Sequence, residues 1–365
     1  MKIFHCDQCD QLVFFESSRC TRCDRLLAFL PDVGEVSALA PSGDDRWRRA
    51  TSGGPIGPEY RLCANYRDLD VCNWAVPADD PSPLCASCRL TRVIPDLGVE
   101  GNRERWYRVE VAKRRLIVNL CALGLSLTGR SDDPERGIAF ELVADAPGGV
   151  PPVLTGHSNG VITLSVAEAD DAERERRRVS LGEPYRTLLG HVRHESGHYF
   201  WPRLVERSDR LAEFRARFGD ERTDYAAALA RHHGAGAPVD WPKYFVTAYA
   251  SAHPWEDWAE TWAHYLHLTD TLETAAGCGL KLVPRRGNEP SLDGNAVPGT
   301  KPPHFDALLE DWFALTYVLN NLNRGLGQPD GYPFVLASPA IDKLRFVHDV
   351  IEASATHDGA PIEHG

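Results

Sequence analysis

The sequence predicts an α+β chain in which two small cysteine-bound modules precede a larger domain, itself a small mixed sheet followed by a mainly helical half. Three observations carry this. Two groups of four cysteines stand before Leu90. Two short apolar runs between residues 138 and 166 have the length and composition of strands. Beyond residue 184, apolar residues recur mostly at three- and four-residue steps, the spacing of helices with one buried face.

Composition narrows the classes. At 365 residues the chain exceeds one average domain, and 43% hydrophobic with 25% charged residues is ordinary for a globular protein. A net charge of -12 argues against a general nucleic-acid binder, and acidic residues outnumber basic ones over residues 1–100 as well. No run approaches the roughly 18 apolar residues of a membrane span, so no membrane partner is expected. The opening Met1-Lys2-Ile3-Phe4-His5-Cys6 has no apolar signal region, which makes the cytoplasm the expected location. In that reducing setting, the 10 cysteines read as metal ligands before they read as disulfides.

Cys6-x2-Cys9 and Cys20-x2-Cys23 form the first group. Two thiolates separated by two residues can turn on a tight knuckle and supply two corners of a tetrahedron, and a second knuckle supplies the others. Residues 1–35 are therefore a four-cysteine zinc ribbon. The Gly-, Pro- and Ser-rich stretch 36–58 reads as a linker. Cys63, Cys72 and the pair Cys85-x2-Cys88 form a second four-cysteine module over 59–98, although its first half lacks the CxxC spacing. Both zinc sites are expected to be closed and structural. Cys121 and Cys278 are left over, and a buried apolar role suits each.

The larger domain is placed at 100–355, with a flexible tail at 356–365. Arg103 to Leu127 reads as a helix, Ile138–Val143 and Gly160–Val166 as strands, and the Arg/Glu run Glu173–Arg178 as a solvated helix face. A helix starts near Pro184 and ends at Pro202. Others are expected near Leu204–Phe218, Asp220–His232, Trp255–Ala276, Phe305–Leu322 and Ile341–Ala353. Gly277–Pro303 reads as a long loop.

The first of these helices carries His194-Glu195-Ser196-Gly197-His198. Histidines four apart share one helix face and can grip one Zn²⁺, while Glu195 can reach a water on that metal and take its proton. Apolar Leu188, Leu189 and Val192 favour this over two surface histidines on an ordinary helix. A catalytic zinc takes three protein ligands and leaves one position open. A histidine six residues after the second ligand, with glycine at the third, would complete one large group of sites; here those positions are Leu204 and Trp201. The third ligand is then sought on a later helix, where Glu256 and Glu260 share one face among Trp255, Trp258, Ala259, Trp262 and Ala263. One can bind zinc while the other orients a ligand histidine. His264 and His191 lie nearby, and a polar core contact is the plainer reading of His264.

At these residues a resemblance appears. Glu256-x-x-Ala259-Glu260 after HExxH resembles the zincins with a glutamate ligand, particularly the lethal-factor-like endopeptidases. The resemblance implies Glu256 as third ligand, Glu260 as support for a ligand histidine, and Tyr249, seven residues before Glu256, as donor to the oxyanion. The whole chain resembles a bacterial family of zinc-binding metallopeptidases with an N-terminal zinc ribbon. Its paired knuckles, Cys72-Asn73-Trp74, Cys85-x2-Cys88-Arg89-Leu90, Lys113-Arg114-Arg115-Leu116 and the HExxH core carry that likeness. It implies a zincin-like domain whose catalytic helix packs on the small sheet.

These readings lead to hydrolysis of a peptide or protein substrate with one catalytic and two structural Zn²⁺, and to strand Gly160–Val166 as the edge on which an extended substrate adds. With Met1 as the sole methionine, the Gly-x-Met-Glu-Asn aminopeptidase signature is absent, which favours an endopeptidase. The alternative is a zinc-stabilised module that recruits a protein partner and carries an inactive or latent HExxH site. The intact Glu195 argues against it.

Overall fold

The computed structural model describes residues 2–145, 153, 155–292 and 304–357. The chain forms two compact units, one of residues 2–118 and 127–174, the other built mainly from 175 onward with residues 119–126.

In the first unit, β1 (Phe4–His5) pairs with β2 (Leu12–Val13) beside the first cysteine group. Strands β3 (Leu27–Leu30), β4 (Glu35–Gly43), β5 (Arg46–Thr51), β6 (Gly54–Leu62) and β7 (Ala75–Pro77) follow in one antiparallel sheet, in that order. The expected linker at 36–58 is thus corrected: it supplies β4, β5 and much of β6. Its small residues mislead, because Val36, Ala38, Leu39, Ala40 and Ala50 are buried and the glycines and aspartates serve the turns between strands. Gly43, Asp44 and Asp45 take positive φ in one such turn, and Gly54 in the next. Asp7, inside the first knuckle, accepts from Arg49 at 2.6 Å and from the Ala38 backbone N–H at 3.2 Å, which fastens ribbon to sheet.

The short α1 (Ala64–Arg67) lies between Cys63 and Cys72. Next come β8 (Thr91–Val93), helix α2 (Asn102–Ala122), β9 (Ala139–Val143), β10 (Gly156–Ser158) and β11 (Val161–Ser165). The sheet order is β10-β11-β9-β8, with β9 parallel to both β8 and β11 and β10 antiparallel to β11, so the sheet is small and mixed. The second strand is not an edge: β11 is paired on both sides. Asn159 and Gly160, both at positive φ, make a two-residue turn that folds β10 back onto β11. Strand addition to β11 is therefore excluded. Helix α3 (Asp171–Leu181) buries none of its residues, as its charge run predicts.

In the second unit, α4 (Leu188–Trp201) starts later than Pro184, because Thr187 is the cap and accepts from the Gly190 N–H at 2.9 Å. Pro202 does not end the rod abruptly; Pro202–Glu206 continue as one π-helical turn. Then come α5 (Leu211–Phe218), α6 (Tyr225–Ala235), α7 (Pro254–Gly277), α8 (Phe305–Gly325) and α9 (Ser338–His357). Of the expected 277–303 loop, residues 293–303 lie outside the described residues, as does most of the expected tail. Cys121 and Cys278 are both exposed, not buried.

The contact of α4 with α7 builds the core of this unit. Gly197 brings the two backbones together: a Cβ there would meet Ala259 Cα at 3.0 Å and Trp262 Cδ1 at 3.1 Å. Trp258 Nε1 donates to the Gly197 carbonyl at 2.9 Å, and Trp262 Nε1 to Ser196 Oγ at 3.0 Å. Both indoles are fully buried, so these bonds satisfy groups that would otherwise cost the fold about 1–3 kcal/mol each.

Candidate metal centres

The α4–α7 register decides which side chains face each other. With Gly197 against Ala259, His194 and His198 stand opposite Glu256 and Glu260. His194 Nε2 lies 3.0 Å from Glu256 Oε2, His198 Nε2 lies 3.6 Å from the same oxygen, and the two Nε2 atoms are 3.2 Å apart. Corners of a tetrahedron with metal–ligand bonds of 2.0–2.1 Å are separated by about 3.3 Å. The three atoms fit a zinc ion. Glu256 is 1% exposed, and its buried Oε2 faces both imidazole nitrogens, an environment that a shared cation suits.

Neighbouring groups fix His194 and Glu256. His194 Nδ1 meets Glu260 Oε1 at 2.6 Å, and Glu260 Oε2 accepts from Thr247 Oγ1 at 2.7 Å. With Nδ1 donating to Glu260, Nε2 is the nitrogen that faces the centre, and in the neutral imidazole its lone pair is free for a metal. Glu256 Oε1 accepts from Tyr225 at 2.5 Å. Burial alone would raise both carboxyls, but hydrogen bonds from the histidines override it: Glu256 is held well below the usual range and Glu260 below it. For His194 the same bonds overcome burial and raise it well above its ordinary value. The cage attracts positive charge.

Glu195 is buried on α4, and burial raises its carboxyl against the opposing pull of His194 and His198. Tyr249 packs its ring 6.0 Å from that of His194 and 5.7 Å from that of His232, and burial pushes its phenol up. His264, one turn beyond Glu260 on α7, hydrogen-bonds through Nδ1 with the Tyr332 hydroxyl at 2.7 Å in the core. Sequence spacing did not find Tyr225, Thr247 or His232, since nothing in a linear pattern links them to Glu256, Glu260 or Tyr249.

The cysteines converge as two further groups, Cys6/Cys9/Cys20/Cys23 and Cys63/Cys72/Cys85/Cys88. Sulfur separations of 3.7 Å (Cys6–Cys23), 3.6 Å (Cys9–Cys20) and 3.8 Å (Cys72–Cys85) match the roughly 3.8 Å expected for zinc–sulfur bonds near 2.3 Å. Each knuckle of the first group closes with an aspartate at positive φ, Asp10 or Asp24, whose N–H reaches back to the carbonyl of Cys6 or Cys20. In the second group, backbone N–H groups of Trp74, Cys85 and Cys88 point at Cys72, Cys63 and Cys85 sulfurs, each at 3.4 Å. Donors aimed at sulfur suit metal-ligating cysteines despite the non-standard spacing.

Four-cysteine modules ahead of a histidine/glutamate centre define a zinc-binding protein of the metallopeptidase type. The family described as "Putative zinc-binding metallo-peptidase" matches residues 102–350, a zinc-ribbon domain matches residues 3–99, and the chain belongs to that metallopeptidase family. Uncharacterized proteins of Mycobacterium tuberculosis and Mycobacterium bovis are each 43% identical to it over 357 residues, 97% of this chain and 96% of the relative. No solved structure matches it. Among the described residues, no helix is long and apolar enough to cross a membrane.

Proposed function

We propose that the chain hydrolyses internal peptide bonds of a peptide or protein substrate in the cytoplasm. One zinc belongs on His194, His198 and Glu256, and two more in the cysteine modules. The observation that supports this most directly is the 3.0, 3.2 and 3.6 Å triangle of nitrogen, nitrogen and oxygen atoms. Three protein donors leave the fourth corner of a tetrahedron open, as catalytic chemistry requires. When bound there, zinc supplies Lewis acidity and brings the pKa of water towards about 7.

The chain's own residues do the rest. Glu260 keeps the His194 imidazole in the tautomer that faces the centre. Glu195, its carboxyl raised by burial, takes the proton of the attacking water and delivers it to the leaving amine. Tyr249, kept protonated by burial, donates to the substrate carbonyl oxygen as charge develops there.

The test is Glu195→Gln, assayed on casein and on a degenerate library of quenched peptides. Turnover should fall by roughly 10²–10⁴-fold with zinc content unchanged. Equal turnover in the two proteins would refute the assignment.

A further inference from the structure

Helix α6 supplies a side chain to the centre. Tyr225, in its first turn, donates to Glu256 Oε1 at 2.5 Å, while Oε2 of the same carboxylate faces the two imidazoles. The two oxygens have separate partners. A hydrogen bond from a hydroxyl to a carboxylate is charge-assisted and about twice as strong as a neutral one.

Tyr225 is itself held. Asp224 caps α6, accepting from the Ala227 N–H at 2.9 Å. His253 caps α7: Nδ1 accepts from the Trp255 N–H and Nε2 donates to the Thr223 carbonyl, both at 3.1 Å. One neutral imidazole thereby ties the start of α6 to the start of α7, where Glu256 sits. The Tyr225 ring packs 5.1 Å from His253 and 5.8 Å from Trp255, which fixes the direction of its hydroxyl. Seven residues along the same face of α6, His232 meets Tyr249. This helix face therefore lines the site.

We infer that Tyr225 is a positioning residue: it holds Glu256 by one oxygen so that the other points between His194 and His198. This rests on the zinc reading of that cluster. Without the hydroxyl, the carboxylate is free to rotate, and the cation loses a prealigned donor.

The experiment is zinc competition with a chromophoric chelator on the full chain, comparing wild type, Tyr225→Phe and Tyr225→Ala. Both variants should bind the most readily removed zinc about 10–100-fold more weakly, with the two cysteine-bound ions unaffected. Phenylalanine keeps the ring against His253 and Trp255, so a space-filling role predicts wild-type affinity in Tyr225→Phe and overturns the inference alone. A wild type that holds two zinc ions and no third overturns the zinc reading and this inference together.

Discussion

Replacing Gly197 by alanine probes the contact on which the whole centre depends. The added methyl would lie 3.0 Å from Ala259 Cα, 3.1 Å from Trp262 Cδ1 and 3.2 Å from Trp262 Cβ. All three fall short of the roughly 3.5–4.0 Å optimum for carbon atoms, and none is the end of a flexible chain. The indole cannot swing aside, because its Nε1 is bonded to Ser196 and its ring stacks 5.1 Å from Phe200. Helices α4 and α7 must therefore separate. Overpacking of this kind costs up to about 3 kcal/mol, and the gain in helix propensity from glycine to alanine returns about 1 kcal/mol. The net loss is about 2 kcal/mol, or about 4–8 °C in Tm for a unit of this size. His194 and Glu256 ride on opposite sides of the contact, so the weakest-held zinc should also bind about tenfold less tightly, the lower end of what misorienting a ligand costs. Melting followed by circular dichroism and chelator competition read the two effects. Gly234→Ala on α6 is the control: its Cβ meets nothing within 4 Å, and the same exchange should stabilise by about 0.8–1.0 kcal/mol. Equal gains in both variants, with zinc affinity unchanged, would refute the close-contact argument.

Two other outcomes follow from buried charge. Arg114 is 1% exposed and donates to the Val71 carbonyl at 2.9 Å; burial disfavours its charge, but Cys72, Glu110, Cys88 and Cys85 raise its pKa nonetheless. Arg114→Met should cost about 3–5 kcal/mol and loosen one cysteine-held zinc, and retention of all zinc at full stability under chelator would count against the countercharge role. His264, buried, has its pKa pushed down to about 4 from 6.5. A depressed histidine favours the fold above the unfolded value and loses that contribution as pH falls from 6.5 to 4, about 3 kcal/mol in all. Urea unfolding of His264→Gln across that window should show a shallower decline than wild type, and parallel curves would contradict it.

The sequence announces the centre more clearly than its supports, for a physical reason. HExxH and the Glu256/Glu260 pair sit on regular helices, where spacing alone fixes which side chains share a face. Tyr225 and Thr247 reach the same carboxylates from other segments, and no periodicity connects them. The 36–58 stretch imitates a linker in composition because its strands bury small residues, while its backbone pairs as β4, β5 and β6. At β11 the sequence carries the turn that closes it off: Asn159-Gly160 between two short runs makes a hairpin that pairs β10 onto the strand. Cys121 and Cys278 look like core residues only if cysteine is treated as a small hydrophobe.

What the structure adds to the motif is preorganisation. Glu256 is buried and Glu260 largely so, and either carboxylate without a partner would be costly. Each is therefore bonded twice: Glu260 to His194 and Thr247, Glu256 to Tyr225 and the imidazole side. Glu256 Oε2 is the oxygen aimed between His194 and His198, 3.0 and 3.6 Å from their Nε2 atoms. The hydroxyls of Tyr225 and Thr247 therefore belong to the support of this cluster, each holding one oxygen of a carboxylate whose other oxygen meets a histidine.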